Sequence, residues 1–386
     1  MYNISLLIGL KNNLEYSRSC YDSIRSNYSD IEIVFVSYGS TDGTHDWLES
    51  ITDENLIYYF DKEEKTLSDT YNKAIEISTK EYICFLHNDM VLGRNFVFSL
   101  SRALERHNLV YYKVIEPPIF NTDKRIWKEI LDFGRDFDSF KFTEFFEFEN
   151  NQNSTDIVAT EDKSFFLAAK KKILTKINGL DPLYNPMFCE DDDLILRLRM
   201  SGQKTFVCKN AMVYHFVSKT SRFSEEFKNK TSDIEQNSIR NFVRKWGFMN
   251  NSTKMEKRKF GLILKNPNYD AIKTLEIFVD HIYSNYNSNE YILEEQPKTI
   301  FDLKEKFKST DSILLDDVII KFDAKKLSTK NLHSFQNLSA IISEKKNEKK
   351  IFSFLRKEKY FKINNLQVEI IKDITYKQDL IIRENV

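Results

Sequence analysis

The segment ICFLHNDM, residues 83–90, is the most informative stretch of the sequence for the fold. An apolar run of four residues breaks off into His87, Asn88 and Asp89. This pattern is typical of a buried strand that delivers polar side chains to the carboxyl edge of a sheet. Ligands of open α/β sheets bind at that edge. The segment therefore predicts a ligand-binding site at the end of a buried strand.

Strand and helix patterns alternate on the N-terminal side of this segment. Apolar runs that predict strands lie at residues 4–10, 31–36, 56–60 and 81–86. Helical spacing lies between the strands, at residues 16–26, around Trp47 and Leu48, and at residues 67–79. Because such an alternation folds through right-handed crossovers, we expect an α/β fold with a mostly parallel sheet flanked by helices.

Further elements are predicted as far as residue 250. In chain order they are a helix at 93–108, an apolar segment at 163–169 and a helix at 171–177. A helix at 194–200, opened by acidic residues 190–193, a strand at 205–215 and a closing helix at 237–247 follow. Residues 110–153 are aromatic and acidic with weak periodicity. We expect an insertion or an acceptor-side surface there.

The length of 386 residues favours two domains, which we place at residues 1–250 and 251–386. The second domain is predicted to be a smaller α+β accessory domain for acceptor binding or homo-oligomerisation. Its expected elements are partly helical residues 262–283, one or two strands at 313–322, a helix at 332–343, a charged turn or loop at 345–350, and two or three strands at 360–382.

Composition and charge narrow the class of protein. Phe and Tyr are abundant (31 and 19) and Gly and Pro scarce (9 and 6), which indicates a folded chain. The formal net charge is -1, so there is no whole-chain argument for non-specific nucleic-acid binding. Four cysteines without a CxxC pair indicate reduced, cytoplasmic thiols. The sequence shows neither a signal peptide nor an apolar stretch of about 20 residues, so we expect no transmembrane segment.

Four motifs then follow one another in the order of a known enzyme family. They are ISLLIGLKNN (4–13), VSYGSTDGT (36–44), LHNDM (86–90) and FCEDDDLILRLRMSG (188–202). In this order and spacing the first 250 residues resemble a family 2 glycosyltransferase with the Rossmann-like GT-A fold of nucleotide-diphospho-sugar transferases. The resemblance implies transfer of a sugar from a nucleoside-diphosphate sugar to a hydroxyl acceptor such as a glycan.

The resemblance also implies a divalent cation, Mn²⁺ or Mg²⁺. Asp89 matches the metal-binding Asp of the family's Asp-x-Asp motif, and His215 resembles the His that completes the metal site in many GT-A enzymes. His87 replaces the first Asp of that motif, and we expect it to contact the nucleotide together with Asn88. A cation is needed because the diphosphate leaving group gains charge in the transition state, and both cations prefer oxygen ligands.

A general base is implied by the acidic motif. The acceptor hydroxyl must lose its proton as it attacks the anomeric carbon, which requires a positioned carboxylate. Asp191 matches the family's base, and Glu190 beside it can orient it or raise its pKa by like-charge repulsion. Direct attack by the acceptor inverts the anomeric configuration, and no second nucleophile is indicated.

The remaining implied contacts concern the nucleotide. Positions that match the family's nucleotide-binding residues are Gly9, Lys11, Asn12, Ser37, Tyr38 and Asn72. The family usually carries an Asp at the Ser37–Tyr38 position, whose carboxylate reads the N3–H of uracil. Ser37 can still accept one hydrogen bond and Tyr38 can stack on a base. A UDP-sugar stays the favoured donor.

Three other functions stay open at this point. The first is the same transfer to a hydroxylated DNA base. It is compatible with the basic C-terminal segment, which contains 25 Lys and Arg residues and 20 Asp and Glu residues from residue 251 onward. A degenerate GT-A domain would bind a sugar nucleotide without turnover, and the substitutions at Ser37, Tyr38 and His87 favour that alternative. A nucleotidyltransferase is disfavoured because the chain lacks a Gly-rich, Lys-bearing phosphate loop.

Overall fold

The computed structural model of the protein describes residues 2–119, 125–152, 157–217, 227–251, 256–352, 360–376 and 378–381. The chain forms two compact units, which we call unit 1 (Met1–Ser232) and unit 2 (Asp233–Ile381). The division therefore precedes the predicted boundary at residue 250. The predicted closing helix of the first domain is observed as Thr231–Trp246, and nearly all of it lies in unit 2.

The elements of unit 1 follow the predicted alternation. Its strands are β1 (Ile4–Leu10), β2 (Glu32–Tyr38), β3 (Leu56–Asp61), β4 (Tyr82–His87), β5 (Met90–Leu92), β6 (Leu109–Glu116), β7 (Lys128–Ile130), β8 (Ile157–Ala159), β9 (Leu167–Lys170) and β10 (Phe206–His215). Its helices are α1 (Leu14–Asn27), α2 (Thr44–Ser50), α3 (Leu67–Ile77), α4 (Phe96–Leu104), α5 (Phe142–Asn150), α6 (Lys171–Lys176) and α7 (Glu190–Met200).

These strands form one sheet whose main path runs β3-β2-β1-β4-β9-β6-β10-β5, with β7 paired to β6 and β8 to β10. The pairs of β1 with β2 and β4, β2 with β3, and β6 with β7 and β10 are parallel. The predicted mostly parallel sheet flanked by helices is confirmed. Because the chain leaves β1 in one direction and returns on its other side at β4, a crevice opens between the carboxyl ends of these two strands.

The predicted insertion folds as an aromatic cluster rather than as an open surface. Phe133, Phe140 and Phe145 are buried and pack around the ring of Tyr214 on β10. The buried carboxylate of Glu149 accepts hydrogen bonds from the backbone N–H groups of Arg94 (2.8 Å) and Asn95 (3.0 Å), just before α4. It thereby satisfies donors that a helix start leaves without intrahelical partners.

Replacing Glu149 with Ala is expected to destabilise unit 1 by about 1–3 kcal/mol, because two backbone donors before α4 lose their acceptor. Urea denaturation of the whole chain measures the change. Glu147→Ala is the matched control, since Glu147 lies exposed on the same helix. Equal midpoints for the two variants would show that the Glu149 contacts contribute nothing to stability.

Unit 2 contains its own sheet and set of helices. Its strands are β11 (Phe260–Lys265), β12 (His281–Tyr283), β13 (Phe307–Lys308), β14 (Val318–Asp323), β15 (Tyr360–Ile363) and β16 (Leu366–Ile370). Its helices are α8 (Thr231–Trp246), α9 (Tyr269–Leu275), α10 (Asn289–Glu295), α11 (Leu303–Lys306), α12 (Thr329–Gln336), α13 (Leu338–Phe352) and α14 (Gln378–Ile381).

The sheet of unit 2 differs from the predicted α+β arrangement. Its order is β13-β12-β11-β14-β16-β15, in which the first four strands are parallel, while β16 pairs antiparallel with both β14 and β15. Strands and helices alternate instead of segregating, because each parallel pair needs a crossover connection. The charged segment 345–350, predicted as a turn or loop, lies within α13.

Helix α8 is joined to unit 2 by buried ion pairs. The Arg244 guanidinium donates to Glu276 Oε2 at 2.8 Å and to Glu295 Oε1 at 2.6 Å. Tyr291 also donates to Glu276, at 2.7 Å, and Lys306 Nζ lies 2.5 Å from the other Glu276 oxygen. These contacts give a physical reason why α8 belongs to unit 2.

The sequence predicted reduced thiols and no transmembrane segment. All four cysteines are buried free thiols. Among the described ranges, no helix combines the length and the hydropathy needed to cross a bilayer.

Candidate active site

Strand register brings the polar residues of the opening segment to the crevice between β1 and β4. Gly9 pairs with His87 across these two parallel strands. A Cβ at Gly9 would lie 2.9 Å from Thr70 Cγ2, so glycine is needed for the close approach of α3. His215 pairs with Met90 where β10 meets the antiparallel strand β5, and Phe216 donates its N–H to the Asp89 carbonyl at 3.0 Å.

The result is a cluster of three possible metal ligands. His87, Asp89 and His215 each offer one ligand atom within 4.8 Å of the other two. His215 Nε2 lies 3.3 Å from Asp89 Oδ1, and the centroids of the two imidazole rings lie 5.4 Å apart. Asp89 and His215 are buried, whereas His87 is half-buried. Two imidazoles and a carboxylate form a donor set that fits a divalent cation.

A second layer of side chains orients His215. Its Nδ1 lies 2.9 Å from Glu116 Oε1, and the other oxygen of that carboxylate lies 2.5 Å from Lys128 Nζ. Burial alone would lower the pKa of His215, but Asp89 and Glu116 raise it to about 9. A carboxylate on one ring nitrogen directs the other nitrogen towards a metal, as in many metal-binding histidines.

His87 lies in a more apolar setting. Its ring centroid is 5.2 Å from that of Phe165 and 5.4 Å from that of Phe166. Burial and the neighbouring His215 lower the pKa of His87 to about 4, so the ring is neutral at pH 7. The structure places His87 in the cluster with Asp89 and His215, and its expected contact with the nucleotide stays a prediction.

An open cleft extends from this cluster along the crevice. It holds about 990 Å³ of space, counting the part open to solvent. The residues that line it are Gly9, Leu10, Lys11, Tyr38, Glu64, Lys65, Thr66, Leu67, Thr70, Tyr71, His87, Asn88, Asp89, Pro186, Met187, His215 and Phe227. Seven of the sequence-predicted site residues are among them: Gly9, Lys11, Tyr38, His87, Asn88, Asp89 and His215.

The end of the cleft opposite the metal-ligand cluster carries paired charges and an aromatic ring. Lys11 Nζ lies 3.0 Å from the Gly39 carbonyl and 2.5 Å from Glu64 Oε2. Lys65 Nζ lies 5.3 Å from the centroid of the Tyr38 ring. Sequence reasoning missed Glu64 and Lys65, because they lie in a loop before α3 that matches no motif.

Three predicted nucleotide-binding residues do not line the cleft, because their side chains hold neighbouring loops. Asn12 Oδ1 accepts the Thr41 N–H at 2.8 Å, and Ser37 Oγ lies between the side chains of Ser40 and His45. Asn72 makes two hydrogen bonds to the backbone of Leu180, at 2.8 and 2.9 Å. Their contact with the nucleotide stays a prediction, and the structure shows that these side chains also hold the surrounding loops.

The acidic motif lies at the first turn of α7, directly after a loop whose Pro186 and Met187 line the cleft. Burial and the adjacent Asp191 raise the pKa of Glu190, and burial and the adjacent Asp192 raise that of Asp191 to about 6. Asp192 pairs with Lys163 at 3.3 Å. Neither Glu190 nor Asp191 is among the lining residues, but both carboxyl groups have the raised pKa typical of acid–base sites.

Asp193 is structural, since its carboxylate is fully buried and pairs with Arg197 at 2.6 Å. That arginine also donates to the carbonyl groups of Ile177 (2.8 Å) and Gly179 (2.7 Å), and so joins α7 to the turn before it. The four acids of the motif therefore have at least two different roles.

Comparison with known proteins identifies the N-terminal part of the chain. Residues 5–175 match the family model described as Glycosyl transferase family 2. This segment is thus similar to family 2 glycosyltransferases. The expected resemblance of the first motifs is thereby confirmed. No curated protein sequence matches the chain significantly.

Several solved structures are similar to this chain. The mannosyltransferase PcManGT from Pyrobaculum calidifontis, in complex with GDP-Man and Mn²⁺, has 16% identity and a TM-score of 0.39, with 57% of this chain and 58% of that chain covered. TarS 1-349 from S. aureus has 12% identity and a TM-score of 0.42, with coverages of 62% and 80%. GalNAc-T7 with UDP, GalNAc and Mn²⁺ has 11% identity and a TM-score of 0.45, with coverages of 64% and 48%. The chain thus spans less than two thirds of the first and third of these proteins.

Proposed function

We propose that the protein is an inverting, metal-dependent glycosyltransferase that moves a hexosyl or pentosyl group from a nucleoside-diphosphate sugar to a hydroxyl acceptor such as a glycan. The observation that carries the proposal is the cleft of the family 2 segment, in which His87, Asp89 and His215 converge at the carboxyl edge of the sheet. A nearby pair of carboxyl groups with raised pKa, Glu190 and Asp191, supplies a candidate base.

In this mechanism Asp191 accepts the proton of the acceptor hydroxyl as its oxygen attacks the anomeric carbon. A new carbon–oxygen bond forms while the bond to the diphosphate breaks, and the diphosphate leaves with the electron pair. The raised pKa makes Asp191 a stronger base than an ordinary aspartate, although it is still ionised at pH 7. Burial and Asp191 raise the pKa of Glu190 itself to about 8, so this carboxyl group is mostly protonated at pH 7, and we assign it the role of orienting Asp191.

The leaving diphosphate requires positive charge. A divalent cation, Mn²⁺ or Mg²⁺, supplies this charge when bound, and Asp89 and His215 are proposed as its ligands. Glu116 and Lys128 hold the His215 ring in place, and the Asn88 amide donates to Ser17 Oγ at 3.0 Å, which supports the turn carrying Asp89.

A UDP-sugar is the favoured donor in this proposal. Uracil offers one N–H donor between two carbonyl acceptors, and Lys11 and Glu64 place a cation and a carboxylate together at the far end of the cleft. Glu64 can thus replace the family's Asp, while Tyr38 offers a ring for stacking. Buried free thiols agree with a cytoplasmic location, and unit 2 is proposed to bind the acceptor or form a homo-oligomer.

Asp89→Ala is expected to remove the Mn²⁺-dependent part of nucleotide-sugar binding, because it deletes the carboxylate ligand. A thermal-shift screen of UDP-, GDP-, CMP- and dTDP-sugars, each with and without MnCl₂, measures this effect. The wild-type chain should show its largest shift with one sugar nucleotide plus Mn²⁺. Asp22→Ala, at an exposed position of α1, is the matched control and should behave as the wild type does.

A metal-dependent shift in Asp89→Ala equal to that of the wild type would refute the metal assignment. Binding without hydrolysis or transfer of any sugar in the panel would instead favour a degenerate binding domain. If product forms only with hydroxylated DNA as acceptor, the donor chemistry stands and the glycan acceptor is wrong.

A further inference from the structure

We propose that His87 is a third ligand of the cation, and that the resulting site of two imidazoles and one carboxylate selects Mn²⁺ over Mg²⁺. This inference rests on the proposed function of the cleft, but it concerns a position at which the chain departs from the Asp-x-Asp motif. It turns that departure into a determinant of metal specificity.

The geometry of His87 supports the assignment. Its ligand atom lies within 4.8 Å of those of Asp89 and His215, which is slightly more than twice a metal–nitrogen bond of about 2.1 Å. The pairing of His87 with Gly9 fixes its backbone at the crevice. A small closure around a cation would therefore bring all three atoms into coordination distance.

The hydrogen bonding of His87 also supports the assignment. In the part of the chain that the structure describes, no hydrogen bond is found for either ring nitrogen of His87, and its ring lies beside those of Phe165, Phe166 and His215. His215, in contrast, has its Nδ1 2.9 Å from Glu116 Oε1. The His87 imidazole therefore keeps a ring nitrogen for a ligand.

The chemistry of the donor set decides which cation fits. Mg²⁺ prefers an octahedral shell of oxygens and retains several waters, whereas imidazole nitrogen suits first-row transition metals. Two of the three proposed protein ligands are imidazoles, and the Phe165 and Phe166 rings lie beside His87. At this site Mg²⁺ would exchange water ligands for imidazole nitrogens, which it binds weakly. Mn²⁺ accepts mixed nitrogen and oxygen coordination.

The test is a calorimetric titration of the metal-free full-length protein with MnCl₂ or MgCl₂, without nucleotide. The wild type should bind Mn²⁺ about tenfold or more tightly than Mg²⁺. His87→Asp restores an oxygen ligand and should reduce that ratio to about threefold or less. His107→Asn is the matched control, since His107 stacks on Phe206 outside the cleft and should leave the ratio unchanged.

Pulsed electron paramagnetic resonance of bound Mn²⁺ provides a second measurement, because it detects coordinated imidazole nitrogen directly. Two imidazoles are expected in the wild type and one in His87→Asp and His87→Asn, whose folding is verified by thermal melting. Equal affinities of the wild type for both cations, or an unchanged nitrogen signal in the folded variants, would overturn the proposal. These titrations involve no sugar nucleotide. If the wild type prefers Mn²⁺ to Mg²⁺ but transfers no sugar, the proposed function is wrong, whereas the assignment of His87 as a metal ligand stands.

Discussion

Asp191→Asn is expected to lower the rate of sugar transfer about 10²- to 10⁴-fold, because the acceptor hydroxyl loses its general base. The amide is nearly isosteric with the carboxyl group, so the affinity for the sugar nucleotide should be unchanged. Steady-state kinetics with the donor identified by the thermal-shift screen measures kcat, and titration with the same donor measures binding. A fall in kcat without a change in the affinity for the sugar nucleotide would assign Asp191 to the chemical step rather than to donor binding.

Asp192→Asn is the matched control for this prediction. Asp192 is the next acid of the motif, but it pairs with Lys163, so its loss should reduce the rate only a few-fold. The pH dependence supplies a second check. Since the base must be ionised, wild-type kcat should rise with pH through about 6, the raised pKa of Asp191, and Asp191→Asn should lack that rise. Equal rates for the two variants would mean that Asp191 is not the base.

Glu276→Gln is expected to destabilise unit 2 by about 3–5 kcal/mol, because it leaves buried cations without their carboxylate. Burial alone would raise the pKa of Glu276, but Lys306 and Arg244 hold it well below its usual range, so the carboxylate is charged in the folded state. Urea denaturation measures the loss in the free energy of unfolding. Hydrogen exchange followed by mass spectrometry should localise the lost protection to peptides of unit 2.

Glu294→Gln is the matched control in the same unit. Glu294 is exposed and pairs at the surface with Lys273, so its substitution should leave the free energy of unfolding nearly unchanged. If Glu276→Gln is as stable as this control, the buried network does not hold α8 in unit 2.

The sequence indicates the importance of Asp191 much more clearly than that of Glu276. Asp191 was predicted because it matches the base in the acidic motif of the resembled family, and a helix dipole does not readily account for four acids in succession. Glu276 carried no such signal, because its partners Arg244, Tyr291 and Lys306 are spread over three other segments. The same reason explains why the predicted domain boundary fell at residue 250: α8 has an ordinary helical pattern, and only its ion pairs show which unit it joins.

Loop side chains were predicted less well than strand ends. Asn12, Ser37 and Asn72 match nucleotide-binding positions by motif, yet their polar atoms satisfy neighbouring loops. An amide or hydroxyl can pair with a backbone or with a ligand equally well. The choice depends on which groups the folded chain places within about 3 Å, and the order of residues does not contain that distance.

The sequence by itself determined the alternation of strands and helices in unit 1, its mostly parallel sheet and the placement of His87, Asn88 and Asp89 at a strand end. These are local properties, since apolar runs, turn residues and polar breaks act over a few residues. The tertiary structure alone decided that His87 joins Asp89 and His215 in one cluster. That outcome depends on the register of β4 with β1 and of β10 with β5, which aligns His87 with Gly9 and His215 with Met90, residues far apart in the sequence.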